Sequence, residues 1–374
     1  MSAATTMSTA TTVSTATTMV RMLTAYWVSR ALYTAAKLGV ADAVRQLGDG
    51  AAVPVEQIAR QIAVHPSALR RLLRALASAG VFREEGGPDG PRYGLSPLAE
   101  HLLSDAPCSL RNAALMYGEE MSLAWHDLPS AMKDELPSWD RALGADHFGY
   151  YQQHPGPARI FDEAMKELGR AMYSDDAIAS SYDFIGALGR GATVVDVGGG
   201  LGRLLACILQ RDVSLQGILF DLPHVIDGAR RFHEGSPGAA PVAARPEHLS
   251  RLSFEAGNFF ERVPGAADAY VLKRILHDWP DDRCRTLLAN IARVMKPSGR
   301  VLVVEALIPS GSEDHFGKWL DLNMMVVTGG RERTEEEFAA LFEGAGLELA
   351  GVFRSPTALS VIEATKRACP ARGA

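Results

Sequence analysis

The feature that most constrains this chain is a change of grammar at Thr193. From there seven short runs rich in β-branched and aromatic residues follow one another: TVVDVG, GILFD, LSFEAG, DAYVLK, RVLVVEAL, and a closing pair near LELAGVF and LSVIEAT. Helical stretches fall between the earlier runs, as a parallel strand pair requires, because its connection must cross from one end of the sheet to the other. The expectation is a doubly wound α/β domain. Its ligand belongs beyond the carboxyl ends of the strands.

The first half reads differently. The opening twenty residues carry no charge and repeat with a period of six, TTMSTA, TTVSTA, TTMV. Side chains so small and polar bury too little surface to offset the entropy of ordering, so residues 1–20 are expected to be a disordered tail. They have neither the basic start nor the apolar run of a signal peptide. From Arg21 to about Leu47 the pattern is helical, and Leu69, Leu72, Leu73 and Leu76 recur at helical spacing before Gly80. Val81-Phe82-Arg83 and Arg92-Tyr93-Gly94-Leu95, joined by a Gly/Pro-rich turn, look like a wing. The sequence therefore predicts a winged-helix domain over 21–110 and a second domain over 111–374. Within the latter, 111–190 is a helical segment whose aromatics and methionines, among them Trp125, Trp139, Phe148, Tyr150, Tyr151 and Met165, either line an acceptor pocket or form ordinary core.

A winged helix raises the question of DNA, since Arg70, Arg71 and Arg74 lie on its second helix. The net charge of −6 speaks against nucleic acid and against an anionic membrane surface. No run of eighteen apolar residues exists to span a bilayer. The four cysteines are far apart and form no CxxC pair, which fits free thiols in a reducing cytoplasm. No His/Asp/Glu cluster has metal-ligand spacing, so no metal is expected.

Chemistry concentrates after the strands. VVDVGGGLGR follows the first strand and opens a helix, with Gly198, Gly199, Gly200 and Gly202 allowing a sharp turn and close approach of a ligand. A dinucleotide fingerprint would need its last glycine at position 203, which is arginine, and there is no GK[ST] of a P-loop. Asp221 ends the second strand; its carboxylate either accepts both hydroxyls of a ribose or caps the following helix. Asn258 and Phe259 follow the third strand, where an amide oxygen and a ring suit an adenine. The fourth strand ends in LKRILHDW, placing His277 beside Asp278 and Trp279; the imidazole is either a base or a cap for the helix that follows, and Asp278 reads as a cap.

DVGGGLG, FDLPHV, GNFF, LKRILHDW, VVEALIP and GGRERTEEEF occur in this order, and together they resemble the S-adenosyl-L-methionine-dependent O-methyltransferases of the plant caffeate and animal hydroxyindole type. Bacterial members of that family tailor phenolic natural products. The resemblance implies a class I methyltransferase (Rossmann-like) domain with an N-terminal winged-helix domain that forms a homodimer. It places Asp196, Gly198, Gly199, Gly200, Asp221, Leu222, Gly257, Asn258, Phe259 and Lys273 at the cofactor, which leaves as S-adenosyl-L-homocysteine. It makes His277 the general base, with Glu305 and Glu332 flanking and orienting it. Met165, Trp279, Asn323 and Met324 fall at the acceptor. Many relatives have Asp where this chain has Asn258, which keeps an acceptor oxygen and loses a charge.

The expected activity is methylation of a phenolic hydroxyl on an aromatic small molecule in secondary metabolism. Two other readings remain: an N-methyltransferase or non-methylating relative using the same cofactor, and a ligand-sensing transcription regulator built on the winged helix.

Overall fold

The structure is a computed structural model that describes residues 14–87, 90–234 and 246–367. The chain divides into two compact units, Met1–Glu120 with Pro155–Glu167, and Met121–His154 with Leu168–Ala374. The border drawn from sequence at residue 110 thus falls ten residues later, and the helical segment expected over 111–190 is shared between the units.

In the first unit, helices Thr15–Thr24, Tyr26–Lys37, Val40–Gly48, Val55–Gln61 and Pro66–Ser78 accompany three short antiparallel strands, β1 (Val53–Pro54), β2 (Phe82–Glu85) and β3 (Arg92–Leu95), in the order β1-β3-β2. The wing is β2 paired with β3. Leu69, Leu73 and Leu76 enter a core with Ile58, Phe82 and Tyr93, while Leu72 is only partly buried. Arg70, Arg71 and Arg74 are exposed on the opposite face of that helix, as a 3.6-residue period demands.

The expectation of disorder up to residue 20 is corrected in part. Residues 1–13 lie outside the described residues, but a helix begins at Thr15, capped by the Ser14 hydroxyl, which accepts from the Thr17 N–H at 3.1 Å. A side-chain oxygen there satisfies one of the four N–H groups that a helix start leaves unpaired. That helix and the next leave Met19, Met22, Leu23, Tyr26 and Trp27 between 56% and 68% exposed.

The second unit holds a seven-stranded sheet: β4 (Thr193–Val197), β5 (Gln216–Asp221), β6 (Leu252–Ala256), β7 (Ala269–Lys273), β8 (Arg300–Glu305), β9 (Leu347–Arg354) and β10 (Ser360–Lys366), ordered β6-β5-β4-β7-β8-β10-β9. The first five are parallel; β10 runs antiparallel between β8 and β9. Along β4, Val194 faces one apolar layer, and Val195 and Val197 face the other. Helix Arg203–Arg211 covers the first face through Leu204, Leu205 and Ile208, and helix Asp281–Val294 the second through Leu287, Leu288 and Ile291. The order reverses at β4, between β5 and β7, and such a switch point opens a crevice at the carboxyl ends of the strands. Trp139, read from sequence as core or pocket wall, is core: it is fully buried against the rings of His147, Tyr150 and Tyr151.

Candidate active site

Two strands and one loop deliver the candidate acid–base residues. β7 ends at Lys273, and the chain passes through Arg274 in a left-handed conformation (φ 55°) into the turn Leu276–Asp278. β8 ends at Glu305, whose Oε1 accepts from the backbone N–H of Ile275 (3.2 Å) and of His277 (3.1 Å). Glu305 therefore orients the turn that carries His277, not its ring. The ring is held by Glu332, whose Oε1 accepts from His277 Nδ1 at 2.7 Å. His277, Glu305 and Glu332 are all buried, at 3%, 0% and 2% exposure, so these bonds act in a low dielectric where charge-assisted contacts are strong.

The Glu332 loop is fastened to the His277 turn by the backbone. The Arg331 N–H donates to His277 O at 2.9 Å, and the Glu332 N–H donates to Asp321 Oδ1 at 3.0 Å. Gly330 makes the approach possible, since a Cβ there would stand 1.9 Å from His277 O. Arg333 completes the clamp. Its buried guanidinium donates to Leu276 O (3.2 Å), Trp279 O (3.2 Å) and Asp281 Oδ1 (2.8 Å).

Asp278 does not cap the helix, as its position in sequence implies. The residue preceding helix Asp281–Val294 is Pro280, with no side-chain cap. Asp278 Oδ1 instead lies 3.6 Å from His277 Nε2, the ring nitrogen that Glu332 leaves open. Burial pushes the His277 imidazole down, but Asp278 and Glu332 more than offset it and raise it to about 9. Burial raises the carboxyls of Glu305 and Asp278 above the usual range.

The glycine-turn side of the sheet edge is built from the ends of β4, β5 and β6. Gly198 takes φ 68°, and a Cβ there would meet Ile275 Cδ1 at 2.6 Å, a backbone that L side chains seldom adopt. The Gly200 N–H donates to Asp221 Oδ2 at 2.9 Å, and the Leu222 N–H to Asp221 Oδ1 at 2.7 Å. Asp221 thus braces the glycine turn and is not the cap of the next helix, which begins from Leu222 without a side-chain cap. Burial raises its carboxyl above the usual range. Gly199 packs on Asp196, and Gly257 on the Phe220 ring. Asp196 is buried at the end of β4 with Oδ1 unpartnered among the described residues, and burial pushes its carboxyl up to about 7. Lys273 pairs with Asp175 at 2.6 Å.

Some expected contacts are already committed elsewhere. The Asn258 amide serves its own turn, Oδ1 accepting from the Phe260 N–H at 3.0 Å and Nδ2 donating to Glu261 at 3.1 Å. Phe259 packs edge-on to Phe260, near Gly198. Asn323 Oδ1 accepts from Trp125 Nε1 at 2.9 Å, and its neighbour Met324 is buried. Trp279 stacks on Phe148, with ring centroids 5.6 Å apart. Met165 belongs to the first unit.

Residues 125–348 match the O-methyltransferase domain, and residues 20–105 the O-methyltransferase dimerisation domain. The chain belongs to the O-methyltransferase family. The phenazine O-methyltransferase of Lysobacter antibioticus is 38% identical over 347 residues, 92% of this chain and 95% of that protein. The phenazine-1-carboxylate N-methyltransferase of Pseudomonas aeruginosa is 30% identical over 354 residues, 93% and 96% of the two chains. The crystal structure of an O-methyltransferase from neocarzinostatin biosynthesis, in complex with S-adenosylmethionine and 2-hydroxy-5-methyl naphthoic acid, has a TM-score of 0.74 at 28% identity and covers 90% of this chain and 95% of that one. This O-methyltransferase accordingly uses S-adenosyl-L-methionine and has the class I fold with an N-terminal dimerisation domain. The unpartnered Asp196 oxygen and the side-chain-free Gly198 turn fit such a ligand. Among the described residues no group of three or more His, Cys, Asp or Glu is placed to hold a metal, Cys108, Cys207 and Cys284 are free, and no helix is long and apolar enough to cross a membrane. Cys369 lies outside the described residues.

Two features were out of reach of sequence. Nothing in the spacing of GGRERT separates Arg333, a clamp, from Arg331. Asp278 is visible in LKRILHDW, but its side chain is turned toward Nε2 by a short turn that periodicity does not describe.

Proposed function

We propose that this enzyme methylates a phenolic hydroxyl of an aromatic natural-product precursor, with His277 removing the proton. The observation that supports this best is the buried His277–Glu332 bond, 2.7 Å, which leaves Nε2 as the working nitrogen of the ring. When bound, S-adenosyl-L-methionine supplies a methyl group already activated on a sulfonium. What remains for the protein is alignment and proton removal. Holding two reacting atoms in line is worth up to about 7–11 kcal/mol in intramolecular models, and a positioned base about 10²–10⁴-fold. A phenol ionises near pKa 10, close to the raised value of about 9 for His277. Proton transfer between them is therefore nearly balanced, and Glu332 stabilises the imidazolium that forms. Asp196, the glycine turn and Asp221 would hold the adenosine and amino-acid ends of the cofactor.

The relatives act on phenazines, and one binds a hydroxylated naphthoic acid. A pyridine-type ring nitrogen, such as those of a phenazine, carries no proton to lose, whereas a phenol does. A buried imidazole backed by a carboxylate is needed only for the second, so the hydroxyl reading is favoured over N-methylation. The exposed apolar face of Met19, Met22, Leu23, Tyr26 and Trp27 supports a homodimer through the N-terminal unit, since a contiguous apolar surface of this kind marks an interaction site. The test is incubation of the protein with labelled S-adenosyl-L-methionine and a panel of hydroxylated and N-heterocyclic aromatics. Label is expected as an aryl methyl ether; label only on ring nitrogen would overturn the hydroxyl assignment.

A further inference from the structure

Three glycines shape the turn between β4 and helix Arg203–Arg211: Gly198, Gly200 and Gly202 stand at φ 68°, 59° and 70°. Glycine has more backbone freedom to lose on ordering than any other residue, so a turn built on three of them keeps its form where outside groups hold it. One hold is Asp221, which accepts from the Gly200 N–H. The other comes from a residue that belongs to none of the sequence motifs. His233 ends helix Pro223–His233, and its Nε2 lies 2.8 Å from Leu201 O. A carbonyl can only accept, so Nε2 carries a proton and donates it. The peptide unit between Leu201 and Gly202 is thereby tied at both ends, since the Gly202 N–H donates to Gly199 O at 2.9 Å. The imidazole itself is fixed: it is 3% exposed, with the Phe232 and Phe254 rings edge-on at 5.2 and 5.8 Å. Water has little access to compete for a bond made by so buried a ring. The fit is close, because a Cβ on Gly202 would stand 2.9 Å from Leu219 Cδ2 and 3.4 Å from His233 Nε2. The helix that follows starts from Gly202 with no side-chain cap, so no cap of its own holds its first turn in place.

We infer that His233 is a positioning residue for the cofactor: by donating to Leu201 O it holds the glycine turn in the shape that receives S-adenosyl-L-methionine, acting through the backbone and not by contact with the ligand. Asp221 supplies the turn with an acceptor and His233 supplies it with a donor, and the two bonds grip adjacent peptide units. The inference rests on the glycine turn as the seat of the cofactor. It is independent of the acceptor and of the role of His277.

The test reads the turn before it reads the ligand. Amide hydrogen exchange across residues 198–202 is measured for the unliganded wild type, His233→Phe and His233→Gln, with β8 as the control for global stability. The affinity of the same three proteins for S-adenosyl-L-homocysteine is then measured by calorimetry. His233→Phe keeps a planar ring and loses the donor. Exchange in the turn is expected to quicken and affinity to fall, each by at least about fivefold, the effect of leaving one acceptor without its partner. His233→Gln can return an N–H to the place of Nε2 and should recover most of both. His233→Asn, whose shorter amide falls short of Leu201 O, makes the same contrast where the Phe variant does not fold. Unchanged exchange in the turn of His233→Phe overturns the inference, and so does exchange that quickens equally in β8. So does a His233→Gln protein as impaired as His233→Phe, which would assign the loss to ring packing. Exchange that quickens in the turn alone while affinity stays at the wild-type value removes the turn from the cofactor's seat, and the role of His233 with it. A failure of the phenol assignment alters none of these readings, since no acceptor is present in either measurement.

Discussion

Replacing Glu332 by glutamine keeps the shape of the side chain and an acceptor oxygen, and removes one charge beside His277. The bond it alters is 2.7 Å long, between side chains that are 3% and 1% exposed, so solvent does little to screen the change. A hydrogen bond to a charged partner is worth about 1.5–3 kcal/mol, and one pKa unit corresponds to about 1.4 kcal/mol. The imidazole of Glu332→Gln should therefore titrate about one to two units below that of the wild type, which stands near 9. Only the neutral ring can take a proton, so kcat/KM rises with pH while His277 deprotonates and is flat above that. In the wild type the rise should continue to about pH 9. In the variant the plateau should begin about one to two units earlier and lie lower, because the base is weaker and its tautomer is no longer enforced. The deficit of the variant is then smaller near neutrality than at high pH. The assay is kcat/KM against pH for one acceptor, with the acceptor's own ionisation measured separately. A variant profile of wild-type shape, merely scaled down, would refute the assignment of Glu332 as a group that, beside Asp278, raises His277.

Asp221→Ala should weaken S-adenosyl-L-homocysteine binding by at least about tenfold in calorimetry, since the carboxylate proposed to hold the ribose also braces the glycine turn by accepting from the Gly200 and Leu222 N–H groups; unchanged affinity would leave Asp221 a purely local brace. Gly330→Ala should cost about 10²-fold in kcat with the protein still folded, because a Cβ 1.9 Å from His277 O must push the Glu332 loop away from the base; near-normal turnover would show that this approach is not needed. Trp27→Glu should shift the protein from dimer to monomer in light scattering at micromolar concentration, because it places a charge in the exposed apolar face. A variant that stays dimeric would move the interface elsewhere.

The sheet was legible in the sequence because its strands are apolar runs bounded by clear breaks: all seven runs became strands within a residue or two of their expected ends. The glycine turn and the chain position of His277 were legible for a related reason, since residues just past a strand end must gather at one edge of a doubly wound sheet. What escaped was anything decided by side-chain direction. Glu305 looks like a partner for the imidazole and in fact holds the backbone of the turn. Asp278 looks like a cap and lies at Nε2. Asn258 looks free for an adenine, yet both ends of its amide serve the local turn. The helix from Thr15 was missed because composition argues against it, while a single serine cap and a partly apolar face argue for it.

The central claim is that His277 removes the acceptor's proton, and the most direct measurement is single-turnover methyl transfer by His277→Ala alongside its affinity for S-adenosyl-L-homocysteine. The account predicts a rate lower by at least about 10²-fold, the low end for loss of a positioned base, with cofactor affinity nearly unchanged because Asp196, the glycine turn and Asp221 remain in place. A His277→Ala enzyme that methylates a phenol near the wild-type rate at neutral pH would contradict it, leaving alignment as the source of catalysis and the buried His277–Glu332 pair as a structural tie.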